Sequence, residues 1–400
     1  MSQHSTAQQA PSDVRKIAKR LPYSASELWM QGEGIPIYEG YSIDDITAVE
    51  LGEWKRLGGN GAFFHLRGMD GYTLAYVVEI APGAELKWQK HLYEESIYVL
   101  EGSGVMEIET PLGPERSREF SWKKGTLLAP TVNSRYQLRN TSKETALLYA
   151  LTDAPMVMDL YHNLDFVFNC DYVFADRMAG LSQDNEITSR INSRGHMVIQ
   201  GNQIHDVDKL GLMDSTVDGK GGGVNSATYE MAGNTLAGHL AQESVRKYDR
   251  AHYHGGGATI LHLKSDVNAR SHGYTLLWPP ELGERPYQNG FGDKVLRVDW
   301  KPGSILSPPT CWYHEHFNLG EDDDRNIAFR FGYANVYPTR FYTSTHDVNG
   351  QPACVVPSRH GGSMIDWPDE DPQIHEDFET AVEAEGGKCG MDHSIFQGSK

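Results

Sequence analysis

Only four cysteines occur in 400 residues (Cys170, Cys311, Cys354 and Cys389), and no two of them stand in C-x-x-C spacing. That excludes a disulfide framework and a zinc-ribbon pattern, and it reads as reduced thiols in a cytoplasmic protein. Positive charge is also short. The chain has 36 Lys and Arg against 54 Asp and Glu, a formal net charge of −18. Nucleic acid and anionic membrane both call for a basic surface, so neither is expected as a partner. A small anionic substrate remains compatible, because one or two local Arg side chains suffice to hold it. No run of eighteen apolar residues exists, so no membrane span is expected. Met1 to Ala10 lacks the apolar stretch of a signal peptide. Gly219 to Gly223 is not followed by the Lys-Ser/Thr of a phosphate loop and is expected to be a flexible connection.

What is present is 39% hydrophobic residues, 41 glycines and 20 tyrosines, the composition of a turn-rich β protein. Its length is enough for roughly two or three domains with sizeable cores. Among 17 histidines, two groups stand out: His252-Tyr253-His254, and Trp312-Tyr313-His314-Glu315-His316-Phe317-Asn318. Strand side chains alternate with period two, so an H-x-H sends both imidazoles to one face. His314, from a second strand, then closes a facial set of three metal ligands with His252 and His254, leaving coordination positions open. His316 shares the parity of His314; it is either a further metal ligand or, as preferred here, a group beside the ligands that serves as the candidate acid/base. His262 has the parity of His254 but lies roughly 26 Å further along an extended strand, so it is assigned to the far end of the sheet. Tyr253, Tyr313 and Glu315 have the opposite parity; the tyrosines are expected to pack, with Glu315 a lesser acid/base candidate. Arg330, on an expected strand from Asn326 to Tyr333, is the candidate clamp for a substrate carboxylate, with a surface ion pair as the alternative. Cys311 reads as a small residue in a tight turn.

Gly303, Pro309, Cys311, His314 and Asn318 stand at the positions of the second cupin motif, with Cys311 where Gly is usual. His252 and His254 match the histidines of the first motif, whose Glu position falls on Ala258. The chain thus resembles the cupin barrels. An H-x-H without its Glu, followed by W-Y-H-E-H, is similar to the all-histidine site of the gentisate 1,2-dioxygenase and 1-hydroxy-2-naphthoate dioxygenase family. An earlier copy of the pattern lies in Gly83, Gln89, His91, Glu95 and Gly102, then Gly125, Pro130, Tyr136 and Asn140. The first motif recurs at an offset of 163 (252 − 89, 254 − 91, 258 − 95) and the second at 178 (303 − 125, 314 − 136, 318 − 140). The difference of fifteen (178 − 163) implies an insertion in the second copy, and Pro279 to Asp293 is the expected place. Gln89 and Tyr136 replace two ligands in the first copy, so the first barrel is expected to hold no metal and to support the second. In the related dioxygenases the iron sits in the first cupin, so the arrangement here is a departure.

The expected architecture is all-β: two tandem cupin jelly-roll barrels with an N-terminal arm and short helices. Residues 1–20 are expected to be a mobile tail with a short helix at Arg15 to Arg20, and 21–155 the arm plus the first barrel. The arm could cover a partner subunit or its own barrel. Residues 156–225 join the barrels, with the aromatic-dense stretch Leu164 to Phe174 expected to pack between them. Residues 226–345 form the second barrel, and 346–400 a C-terminal tail with a solvated acidic helix ending near Ala384. The resemblance implies a non-haem Fe(II) dioxygenase of aromatic compound catabolism. It would use O2 to cleave a hydroxylated aromatic, with or without a carboxylate, and would assemble as a homodimer or homotetramer. Two alternatives are a bicupin using Mn(II) or another divalent metal on a small organic acid (decarboxylase, lyase or hydrolase), and a non-catalytic ligand-binding bicupin.

Overall fold

The computed structural model describes residues 23–111, 117–178, 187–192, 196–214, 224–331 and 347–397. The expected helix at Arg15 to Arg20 and the Gly219 to Gly223 connection lie outside these. Each half of the chain builds a large sheet and a small one. In the first half the large sheet runs Ile37–Gly40, Gly59–Leu66, Leu74–Ile80, Ala146–Thr152, Glu95–Glu101, Leu127–Leu128 and Gln203–Ile204. The small sheet joins Tyr136–Asn140, Ser103–Glu109 and Ser117–Lys123. The second half repeats the plan: a large sheet containing Val224–Met231, Leu236–Glu243, Asp324–Phe331, Thr259–His262 and Ile305–Leu306, and a small sheet of Leu296–Trp300, Gly273–Trp278 and Tyr313–Asn318. Two tandem cupin-like β-sandwiches therefore form the molecule, as the repeated motifs predict.

The strand ladders carry the repeat residue by residue. Leu74 pairs with Thr152, and Ala237 with Arg330, which are the offsets 163 (237 − 74) and 178 (330 − 152). Gln89 bridges Tyr136 as His252 bridges His314. The insertion is not all where the sequence suggested. Gly104 pairs with Asn140 and Gly273 with Asn318, an offset of 169 (273 − 104). Six of the extra residues (169 − 163) therefore fall before Gly273, around the 3-10 turn Asp266–Asn268. The other nine (178 − 169) fall between Trp278 and Leu296. Turn chemistry there is spread over Ser, Asp and Asn, so the Gly/Pro-rich stretch was the easier one to see.

Strand alternation separates the cores. Val78, Ile97, Met106, Phe120 and Leu148 fill the first sandwich, whereas Val77, Tyr98 and Tyr149, one residue out of phase, face Tyr229, Leu240, Leu261, Ile327 and Phe329 of the second. The two large sheets thus pack back to back through an apolar layer. They also exchange strands: Ser42–Ile43 of the arm pairs with Ile305–Leu306 in the second sandwich, while Gln203–Ile204 pairs with Leu127–Leu128 in the first. The arm covers its own chain, and the helix Ala25–Gly32, started by a Ser24–Glu27 capping box, buries Trp29 in the first core.

Two expectations fail. The stretch from Leu164 to Phe174 is not packed between the sandwiches. Only Val167 and Phe168 turn inward, onto the first core, and Phe166 and Tyr172 are exposed. The sheets already supply the apolar surface that separates the halves, so no aromatic filler is needed. The acidic segment is not simply solvated either. The helix Pro372–Ala384 buries Ile374, Phe378 and Val382 against Tyr274, Phe317 and Trp367, covering the outer face of the second small sheet. Its acidic residues hide an i, i+4, i+8 apolar stripe.

Candidate metal centre

His314 and His316 stand on the inner face of the strand Tyr313–Asn318, and their outward neighbours Tyr313 and Phe317 join the core under the C-terminal helix. His252 exchanges both backbone hydrogen bonds with His314, at 3.1 and 2.9 Å, which locks the two segments together. The H-x-H is held by this isolated bridge and by a second one from His252 to Met364, and is not part of a regular strand. Three glycines follow it. A Cβ on Gly256 would lie 2.3 Å from Thr310 Oγ1 and 2.8 Å from the Tyr72 ring, so the backbone passes here only as glycine. Cys311 adopts φ 59° in the adjoining turn and donates its N–H to the His254 carbonyl, the small-residue role expected of it.

The three histidines are brought together. All are buried, and one ring nitrogen of each lies within 4.8 Å of the other two. Ring centroids are 4.5 Å apart for His252 and His314, 4.6 Å for His254 and His314, and 5.8 Å for His252 and His254. Each Nδ1 is matched to a backbone carbonyl: His252 to Arg250 at 2.9 Å, His254 to Gly255 at 2.8 Å, His314 to Trp312 at 3.0 Å. A carbonyl only accepts, so each Nδ1 carries the hydrogen and each Nε2 its lone pair. That is the tautomer and outer-shell support a metal-binding imidazole requires. The donor set fits a divalent transition metal. His316 stays outside the trio, its ring 5.7 Å from that of His314 and its Nδ1 2.8 Å from Thr275 Oγ1.

Arg330 is buried and alternates with Ile327 and Phe329 of the inter-sandwich layer, so it takes the inner face with Ala328. Thr259 pairs with Phe329, and one step further along this antiparallel ladder brings Arg330 opposite Ala258. The equivalent pair in the first sandwich is Thr152 and Glu95. By register, the Arg330 backbone thus stands opposite the position whose carboxylate is missing. Sequence reading overlooked His239. It pairs with Ala328 on the inner face and lies 163 residues after Tyr76 (239 − 76), whose hydroxyl reaches Glu95 in the first sandwich. The repeat offset, carried one strand further, would have found it. His262 is buried: Nδ1 is 2.8 Å from Asp324 and its ring stacks on Trp300 at 4.1 Å.

The corresponding place in the first sandwich is closed on itself. Tyr76 and Tyr136 both donate to Glu95, and Tyr136 also meets His91 Nε2 at 3.0 Å. Burial pushes the Glu95 carboxyl up, but His91 and the two phenols outweigh it and hold the group below the usual range. Arg56 binds Gln89 at 2.8 Å and pairs with Glu33. Hydrogen bonds consume the groups that would serve as ligands there.

No protein-family model matches the chain, and comparison with curated proteins finds no match. Among solved structures, oxalate decarboxylase of Bacillus subtilis, described for the EPR fine structure of its Mn(II) centres, aligns at TM-score 0.46 and 13% identity, covering 74% of this chain and 78% of that one. A second oxalate decarboxylase structure, from work on proton-coupled electron transfer, aligns at 0.45 and 13%, covering 72% of this chain and 76% of that one. Likeness at this level carries no argument about chemistry.

Proposed function

We propose that the second sandwich is a metal-dependent enzyme centre in which His252, His254 and His314 hold one divalent ion and Arg330 receives a substrate carboxylate. The observation that carries this reading is the convergence of three imidazoles whose Nδ1 hydrogens are all given to backbone carbonyls. With Ala258 where a fourth, anionic ligand would stand, the ion keeps its full double charge, and Arg330, whose register position faces that gap, would add another positive charge. Both favour an anionic substrate that supplies its own oxygens. His316, oriented by Thr275, is the group placed to take or return a proton beside the ligands.

Within this reading, the all-histidine donor set favours Fe(II) and O2-dependent cleavage of a hydroxylated aromatic acid. Bound there, the metal supplies Lewis acidity and a route for electron transfer. The second reading is Mn(II) conversion of a small organic acid. Oxalate decarboxylase is among the enzymes with which the fold aligns, but the missing Glu weighs against carrying its chemistry over. Metal analysis of purified protein followed by paired assays separates the two. O2 uptake with gentisate, salicylate or hydroxynaphthoate supports the first, and CO2 release from oxalate or a related acid without net O2 uptake supports the second. In either case Arg330→Met should raise KM for the carboxylated substrate by roughly 10- to 100-fold, the loss of one charge-assisted bidentate contact. An unchanged KM removes Arg330 from the site.

A further inference from the structure

A second group of ligand-type side chains gathers on the outside of the second sandwich. His375 and Glu379 lie four residues apart on the helix Pro372–Ala384 and so share a face. His393, on the 3-10 turn His393–Phe396, folds back against them. Glu379 Oε1 is 3.7 Å from His375 Nε2 and 3.4 Å from His393 Nε2, and one ligand atom of each residue lies within 4.8 Å of the other two. The 3.7 Å gap is too long for a hydrogen bond.

The hydrogen positions follow from the neighbours. Tyr248 has one hydroxyl hydrogen and gives it to Glu370, 2.9 Å away. Its oxygen must then accept the contact from His375 Nδ1 at 3.0 Å, so Nδ1 carries the ring hydrogen. His375 Nε2 is left with its lone pair, buried from solvent and without a hydrogen-bond partner, directed to the side where Glu379 lies. A lone pair beside a carboxylate oxygen is repulsive unless a cation stands between them. Tyr248 thus does for His375 what backbone carbonyls do for the three barrel histidines: it fixes the tautomer that ligates metal.

We propose that His375, Glu379 and His393 form a second metal site, independent of the barrel centre, that takes Zn(II). Two imidazoles and one carboxylate are a three-protein-ligand zinc set, with a remaining position open to water on the exposed His393 side. The ion would fasten the turn His393–Phe396 to the helix whose other face buries Phe378 under the sheet that carries His314.

The test uses the full-length chain and its double variant E379Q/H393A, both stripped with chelator and titrated with Zn(II) by equilibrium dialysis. His393 is 66% exposed and Glu379 34%, so the fold should survive, which circular dichroism verifies. The double variant is expected to take up one Zn(II) equivalent fewer than wild type, whatever the barrel centre binds. Zn(II) should also slow proteolytic trimming of the C-terminal segment in wild type but not in the variant. Tyr248→Phe, which removes only the hydroxyl, should weaken this equivalent about 10- to 100-fold. Equal Zn(II) stoichiometry and affinity in wild type and double variant would overturn the site.

Discussion

Glu370 illustrates how much one buried carboxyl can set. Burial, above all, raises its pKa to about 7 despite hydrogen bonds from Glu315 and Tyr248 that act the other way. Glu315 is raised still further by burial and then by Glu370. The sign of the linkage follows. An acid whose pKa is raised in the folded state binds protons more tightly folded than unfolded, so its contribution is favourable at low pH. It is lost as pH rises from its unfolded value of 4.5 through about 7. Glu370→Gln keeps an acceptor for Tyr248 and removes the titration. The stability of E370Q relative to wild type, measured by urea unfolding of metal-free protein, should therefore increase between pH 5 and pH 8, by on the order of 1–3 kcal/mol. A difference that does not change with pH contradicts the assignment. The outward parity of Glu315 was legible in the sequence. Its burial was not, because the helix that covers it begins 57 residues downstream (372 − 315) and looks acidic. The histidine trio was legible because parity and the repeat register are both one-dimensional.

At the scale of elements, the strand exchange explains why the arm, residues 21 to 60, shows little repetitive pattern in the sequence. Its strands are short pieces, Ile37–Gly40 and Ser42–Ile43, given to different sheets, so no run is long enough to show alternation. Ile46 anchors the arm: it is fully buried in the layer between the sandwiches, and its N–H bonds to the Gly303 carbonyl at 2.9 Å. Ile46→Ala should cost about 2–5 kcal/mol by cavity formation, read as a lowered denaturant midpoint at unchanged slope. A cost below about 0.5 kcal/mol would mean that the arm is not anchored there. The insertion teaches a related point. The Gly/Pro-rich stretch was readable as a loop, whereas the extra residues around Asp266–Asn268 were hidden in ordinary polar sequence.

For the whole molecule, the apolar layer shared by the two large sheets and the reciprocal strands make each sandwich part of its neighbour's sheet. The halves should then unfold together. Tryptophan fluorescence and far-UV circular dichroism should give coincident single transitions in urea, and two separated transitions would contradict the shared core. The same symmetry presents two equivalent places for a metal, one lined by His252, His254 and His314, the other sealed by Tyr76, Tyr136, His91 and Glu95. Anomalous X-ray diffraction from crystals of metal-loaded protein distinguishes them most directly. The account predicts a strong peak bonded to the Nε2 atoms of His252, His254 and His314 and none at Glu95; a peak at Glu95, or no density among the three histidines, would contradict it.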